Sequence, residues 1–508
     1  MSPVARRSLL LALLTAGCGQ VDTFARSDGP TDTPSDLVLV NSNAPTTVAP
    51  APQNDARWAS GSVHPLRWPI RDEAERVLVS VAVDDRAELA PLEEVDRAAG
   101  YLRVHVPVAS KLRYRVTYVG ANATVLGHVD TVAISVDPSQ AQRYSWSKVT
   151  STPSFGPREG AGGVVLRGRL FLLGGLVPTA EGSRPANDVW SSSDGATWVL
   201  EKPNTFGEVG FDPTSDWEGR GYGGYVVKDD RMWILGGDVY DGRYRSDVWA
   251  SSDGRRWTRV DRSTPVRQQV RDQRPGSPTH GQWIEDPNGA SYGVADFGAR
   301  AFHVSATFKG RLWVFGGQRL TGPREDGWPV VPGGLSDIWA SETGERFEQI
   351  EPTKPSWGPL GSVREAVEHQ GRLWLVGGGL VQDGQDPAKR TNGVWSTADG
   401  RAWEKSSDEP PFSARVRHVV KAFDERLWVV AGDDSGQLGE GSAGGSLRDA
   451  WYSSDGRNWY EVVAPAELVA RRAATAWVTP GALYVGAGHA FDGAAWGSDV
   501  WRVSRASP

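Results

Sequence analysis

Apolar and polar residues alternate in four short runs in the first third of the chain: RVLVSVAV over 76–83, LRVHVPV over 102–108, LRYRVTYV over 112–119 and TVAISV over 131–136. A period of two puts one set of side chains on a buried face, so each run reads as a strand with one solvated side. From residue 144 the pattern becomes a long repeat. GRLFLLGG from Gly168 is followed by Asn187-Asp188-Val189-Trp190, then Ser193-Asp194-Gly195 and Trp198. The order returns as RMWILGG with SDVWASSDGRRW, RLWVFGG with SDIWASETGERF, RLWLVGG with NGVWSTADGRAW, RLWVVAG with RDAWYSSDGRNW, and ALYVGAG with SDVWRVS. Self-similarity at a long period outranks any local motif. Each copy reads as four antiparallel strands, except that the last lacks its fourth. YSWSKV at 144–149 supplies that strand from the front, and because an unpaired first or last strand would leave a raw sheet edge, the repeat predicts a closed ring.

At 508 residues the chain is longer than one core usually organises, and its 60 Gly, 33 Pro and 23 Trp suit turn-rich β structure. Four regions follow. Residues 1–18 form a signal: Arg6 and Arg7, the apolar run from Leu9 to Leu14, then Ala16-Gly17-Cys18, which resembles a bacterial lipobox with Thr15 in the place of its usual leucine. Cys18, the only cysteine, would carry the lipid, so no disulfide is available. The arginine pair also looks like a twin-arginine signal, and the export route stays open. Residues 19–55, rich in Pro, Thr and Ser, read as a disordered tether whose ends sit roughly 30–40 Å apart. Residues 56–138 read as a small immunoglobulin-like or fibronectin-like β-sandwich and 144–505 as the ring.

The repeat resembles the kelch family: a glycine pair after an apolar strand, an Asp-Val-Trp strand, and an arginine at a fixed position before the apolar strand. The departures are Ala431 and Ala487 for the first glycine and Gly361 for the arginine. The resemblance implies an all-β chain with a six-bladed kelch-like β-propeller behind the sandwich. The repeated tryptophans on the third strands, Trp190, Trp249, Trp339, Trp395, Trp451 and Trp501, then read as core between blades.

Strand order separates two faces. One carries tight turns such as Arg167-Gly168 and the Asp-Gly turns; the other carries long connections, among them 176–186, 261–299, 318–335 and 433–447, where function usually sits. Five tryptophans fall in those long loops: Trp217, Trp283, Trp328, Trp357 and Trp496. They could stack on sugar rings or anchor a peptide, or each loop could build a local core around its own indole. Arg158, Arg220, Arg300, Arg415 and Arg471 share one register, so they should stand at one height where the central channel opens. In kelch proteins similar arginines sometimes bind acidic partners and sometimes only bond loop carbonyls. Glu159, Asp238, Asp433, Asp434 and His489 could neutralise them from within, and Asp188 and Asp247 read as turn caps.

A net charge of −7 excludes a general nucleic-acid binder. No apolar stretch after the signal is long enough to span a bilayer, leaving the lipid as sole anchor. A galactose-oxidase-like copper site needs a cysteine crosslinked to tyrosine, and Cys18 is spent on the anchor. No metal set, cofactor motif or catalytic residue stands out. A sialidase would need an arginine triad and a tyrosine–glutamate pair; Tyr222, Tyr240, Tyr244 and Tyr292 are candidates, but no spacing selects a pair. The expectation is a monomeric envelope lipoprotein, exported and outer-membrane-bound, whose long-loop face binds an anionic glycan or an acidic protein segment through the five arginines, the five loop tryptophans and His489. A sugar-active enzyme of the kelch sialate-epimerase type and a pure scaffold are the alternatives.

Overall fold

The computed structural model describes Leu39–Asn41 and most of residues 58–506; the longest stretches outside the described residues are 1–38, 42–57, 262–268, 286–296, 319–333, 354–364, 380–389 and 435–444. Cys18, the arginine pair and most of the tether therefore lie outside them. The chain divides into two compact units, Met1–Gln142 and Arg143–Pro508, and its described residues form strands with no α-helix.

In the first unit the alternating runs become strands. Arg76–Val83 pairs antiparallel with both Lys111–Val119 and Ala90–Asp96, Val125–Thr131 joins the far side of Lys111–Val119, and Val63–Arg67 pairs with Tyr101–His105 in a second, smaller sheet. Alternate residues Val77, Val79, Leu112, Tyr114, Val116 and Tyr118 meet Leu66, Leu102 and Val104 in one apolar cluster. Ala90–Asp96 escapes the sequence pattern because, as an edge strand, it buries no residue fully and carries polar groups on both faces. The run 131–136 is not one strand: Thr131 ends Val125–Thr131 and Ile134–Asp137 begins the next.

The second unit holds six four-stranded antiparallel sheets among the described residues. Sheet 1 runs Gly162–Leu166, Arg169–Thr179, Gly182–Ser192, Val199–Lys202 in spatial as in chain order. Sheets 2 to 5 repeat this over 224–259, 304–349, 367–407 and 419–462. Sheet 6 has three consecutive strands, Thr475–Thr479, Ala482–Gly486 and Val500–Arg505, and takes its fourth from Tyr144–Thr150, with Trp146 opposite Val503 and Lys148 opposite Trp501. The first strands are neighbours in a cycle: Gly162–Leu166 stands beside Gly224–Lys228 and Thr475–Thr479, and the succession continues through Val304–Phe308, Val367–His369 and Val419–Phe423. A narrow cavity runs among them, lined by Gly163, Tyr225, Ser305, Glu365, Val420 and Thr475.

Six apolar clusters each join two successive sheets. One joins sheet 6 to sheet 1, setting Trp477, Tyr484 and Val500 against Leu170, Leu172 and Trp198. Trp477 Nε1 donates to Phe171 O across that boundary at 2.7 Å. The tight turns are built as expected. In sheet 1, Ser192 Oγ accepts from Gly195 N, Asp194 Oδ1 accepts from Ala196 N and Thr197 N, and Trp198 Nε1 closes the turn onto Gly195 O. The stretch 176–186 departs from its reading as a long loop: the second and third strands continue through it, from Leu176 opposite Pro185 to Thr179 opposite Gly182.

Backbone geometry explains which glycine of the pair tolerates replacement. The first position has φ near the left-handed minimum, 55° at Gly174 and 56° at both Ala431 and Ala487, where alanine is strained but allowed. The second lies far beyond it, at 102° for Gly175 and 110° for Gly432, a region for glycine alone. Its N–H crosses to the next sheet: Gly175 to Arg220 O, Gly432 to Arg471 O and Gly488 to Arg158 O at 2.8–3.0 Å, the last again linking sheet 6 to sheet 1. Gly432→Ala would also set a Cβ 2.7 Å from that of His418. It should lower stability by about 2–3 kcal/mol, whereas Ala431→Gly should stay within about 1 kcal/mol of the parent. Urea midpoints of the two variants check this, and equal losses would contradict it.

Candidate functional site

The five register arginines are held by the protein itself. All are buried, and each pairs with the aspartate two residues before a third-strand tryptophan: Arg158 with Asp188 at 2.8 Å, Arg220 with Asp247, and Arg300, Arg415 and Arg471 with Asp337, Asp449 and Asp499 at 2.7 Å. Each guanidinium also donates to the carbonyl of the first residue of a glycine pair, Gly174, Gly236, Gly316, Ala431 or Ala487. The aspartate accepts in addition from the indole of Trp190, Trp249, Trp339, Trp451 or Trp501. These forks therefore do not face outward to a ligand, and the aspartates are ion-pair partners as well as openers of the strand. A cation at this depth needs an internal carboxylate to offset its desolvation. The fourth copy agrees by omission: Gly361 stands at the arginine position and Gly393 at the aspartate position, so neither partner occurs alone. Burial alone would raise Asp247, but Arg220 outweighs it and holds the carboxyl down at about 2.

The loop tryptophans separate. Trp217 is fully buried, packs edge-on against Trp257 at 5.8 Å and belongs to the cluster between sheets 1 and 2, so it is core and not a contact surface. Trp283 lies on a short strand, Trp283–Glu285, paired with Gln269–Arg271. Trp328 and Trp357 lie outside the described residues, as do Tyr240 and Tyr292. Trp496 is half-buried and stacks on His489, with centroids 4.7 Å apart.

A different set of side chains gathers where the first strands begin. Two residues after each buried arginine the chain turns left-handed, at Gly160, Tyr222, Phe302, Arg417 and Ala473. Their backbones bond in succession around the cavity: Phe302 N to Tyr222 O at 2.9 Å, Tyr222 N to Gly160 O at 3.1 Å, Gly160 N to Ala473 O at 3.3 Å and Ala473 N to Arg417 O at 2.8 Å. One part of this rim is aromatic. Tyr222 and Phe302 pack with centroids 4.5 Å apart, and Tyr244 meets Phe302 edge-on. Arg417 lies over both Tyr222 and Phe302, at 5.4 and 5.7 Å.

The rest of the rim is charged. Arg390 Nη1 is 3.4 Å from Asp433 Oδ1, and Arg472 Nη1 is 3.5 Å from Asp433 Oδ2. Glu159 lies close enough to Tyr222 for its charge to act on the hydroxyl, and His489 Nδ1 lies 3.8 Å from Glu159 Oε2. Burial, reinforced by Glu159, raises the Tyr222 hydroxyl far above the usual tyrosine range, so the proton stays on tyrosine. Burial works against the charge of Arg417, yet the carboxylates of Glu159 and Asp433 nearby favour it, and the guanidinium stays protonated. Asp434, half-buried next to Asp433, is pushed up by desolvation.

Of the residues singled out from sequence, His489, Trp496, Glu159, Asp433 and Tyr222 meet here; Arg390, Arg417 and Arg472 were missed. A signal for two of them exists. Arg417 and Arg472 stand two and one places after a register arginine, where the other copies place Gly, Tyr, Phe, Val or Ala and Glu, Gly, Ala, Ser or Val. The departure from the repeat, not the repeated residue, marks the surface. Among the described residues no group of three His, Cys, Asp or Glu side chains is placed to hold a metal, and at the far end of the cavity Lys421 pairs with Glu365. No protein-family model matches this chain, and no curated protein matches its sequence.

Proposed function

We propose that the second unit is a six-bladed kelch-like propeller, that the first is an immunoglobulin-like spacer on a lipid-anchored tether in the bacterial envelope, and that the loop-side end of the propeller binds an anionic ligand of the glycan class. Six sheets of four strands, a cycle of first strands and an apolar cluster at each successive pair of sheets support the propeller. Two sheets around one core support the spacer. One observation carries the binding reading: Arg390, Arg417 and Arg472 converge beside the Tyr222–Phe302 pair, combining planar donors for a carboxylate with ring faces for a sugar. These cations are recessed, which favours the end of a glycan over a flat acidic protein segment.

The test is a glycan array on the full chain and on the double variant Arg417→Ala/Arg472→Ala. The parent should retain carboxylated glycans and the variant should lose at least about tenfold in affinity, since hydrogen bonds to charged groups contribute roughly 1.5–3 kcal/mol each. Binding profiles that match while both proteins melt alike would sink the reading. The proximity of Tyr222 and Glu159 favours a second reading, a sugar-active enzyme, because a hydroxyl beside a carboxylate can relay a proton between an anomeric hydroxyl and the ring oxygen. Magnetisation exchange between the anomers of a bound sugar, faster with protein than without, would distinguish it from simple binding.

A further inference from the structure

The arginines alone suit any anion. What narrows the choice is the carboxylate set among them. Glu159 is 8% exposed, and its Oε2 has no hydrogen-bond donor among the described residues. His489 Nδ1, at 3.8 Å from Oε2, is beyond hydrogen-bond reach. Arg417 Nε is likewise buried with no acceptor among the described residues. A buried acceptor and a buried donor left open on one rim are each costly unless something completes them. A sulfate or an acidic side chain satisfies the donor but brings a second negative charge against Glu159 with no proton to share. A neutral sugar satisfies Glu159 and leaves the guanidinium open.

We infer that the site takes a hydroxylated carboxylic acid of the sugar-acid class, its carboxylate on Arg417 and Arg472 and a neighbouring hydroxyl donating to Glu159 Oε2. The inference rests on the anion-binding reading above and adds the acceptor that selects among anions. Glu159 then has two effects of opposite sign. It repels a bare carboxylate through like charge, and it rewards one that carries a hydroxyl. The aromatic pair Tyr222–Phe302 and the His489–Trp496 stack supply apolar surface for the C–H face of the ring.

The experiment compares D-glucuronate with cyclohexanecarboxylate, a carboxylate on a six-membered ring without hydroxyls, by calorimetric or NMR titration of the full chain. The parent should prefer glucuronate by at least about tenfold. Glu159→Gln should bind cyclohexanecarboxylate several-fold tighter than the parent does and keep a preference below about threefold. If this variant melts lower than the parent, Glu159→Asp, which withdraws the carboxylate by one methylene, should show the same loss of preference. A parent that binds both acids equally, or a Glu159→Gln protein that keeps the tenfold preference, overturns the inference and leaves the anion site standing. Failure of both acids to bind the parent, or unchanged binding in Arg417→Ala, overturns the anion site itself.

Discussion

Removing residues 143–150 should abolish the cooperative melting of the second unit, not merely lower its midpoint. Tyr144–Thr150 is the outer strand of sheet 6, and without it Val500–Arg505 becomes an exposed edge. The segment also binds sheet 6 to sheet 5. Tyr144 is buried edge-on against Trp428 and Tyr452 at 4.8 and 4.9 Å, and its hydroxyl donates to Asp424, which also receives Arg505. Lys148 covers the Trp501 ring at 4.7 Å. Burying a tyrosine of ~150–250 Å² contributes roughly 4–6 kcal/mol gross at ~25 cal/mol/Å². Adding the lost ladder brings the deficit into the range of a whole domain's stability, about 5–15 kcal/mol. Differential scanning calorimetry of the shortened chain is the measurement. A transition that survives within a few degrees of the parent would show that the early and late segments do not close the ring.

The second large effect concerns a buried ion pair. Arg220→Ala should cost about 3–5 kcal/mol, because Asp247 would stay buried without the cation that compensates it. Arg220→Ala/Asp247→Ala should recover part of that loss, since the uncompensated charge goes too. The pH dependence follows from the sign of the shift. In the parent the folded carboxyl sits at about 2, below its ordinary value, so its contribution is full above about pH 4 and is lost as pH falls toward 2. In Arg220→Ala, burial without the guanidinium raises the same carboxyl instead, and its penalty is relieved on acidification. The stability gap between parent and variant should therefore narrow from pH 5 to pH 3 in urea titrations. A gap that stays constant would assign the loss to packing and not to charge.

Much of the fold was legible because a repeat reports on itself. Six registered copies specify six sheets without any knowledge of packing, and the missing strand of the last copy located its replacement at Tyr144–Thr150. Local alternation placed Arg76–Val83 and Lys111–Val119 for the same reason, since a period of two is written in neighbouring residues. Where a strand was an edge with polar groups on both faces, as in Ala90–Asp96, the pattern was silent. Turn chemistry was equally local: Ser192 and Asp194 bond to amides within three residues of themselves.

The site divides along the same line. Register alone established that Arg158, Arg220, Arg300, Arg415 and Arg471 are equivalent, but whether a guanidinium faces solvent or an aspartate is decided across strands, by residues 27 to 37 positions away. Pairwise burial is a property of distance in space, and a chain pattern carries no measure of it. Glu159 and Tyr222 are separated by a whole sheet, and Arg390, Arg417 and Arg472 come from the third strand of one sheet and the first turns of two others. Only the cycle of first strands brings them to one rim, because closing a ring makes neighbours of residues that the chain keeps far apart.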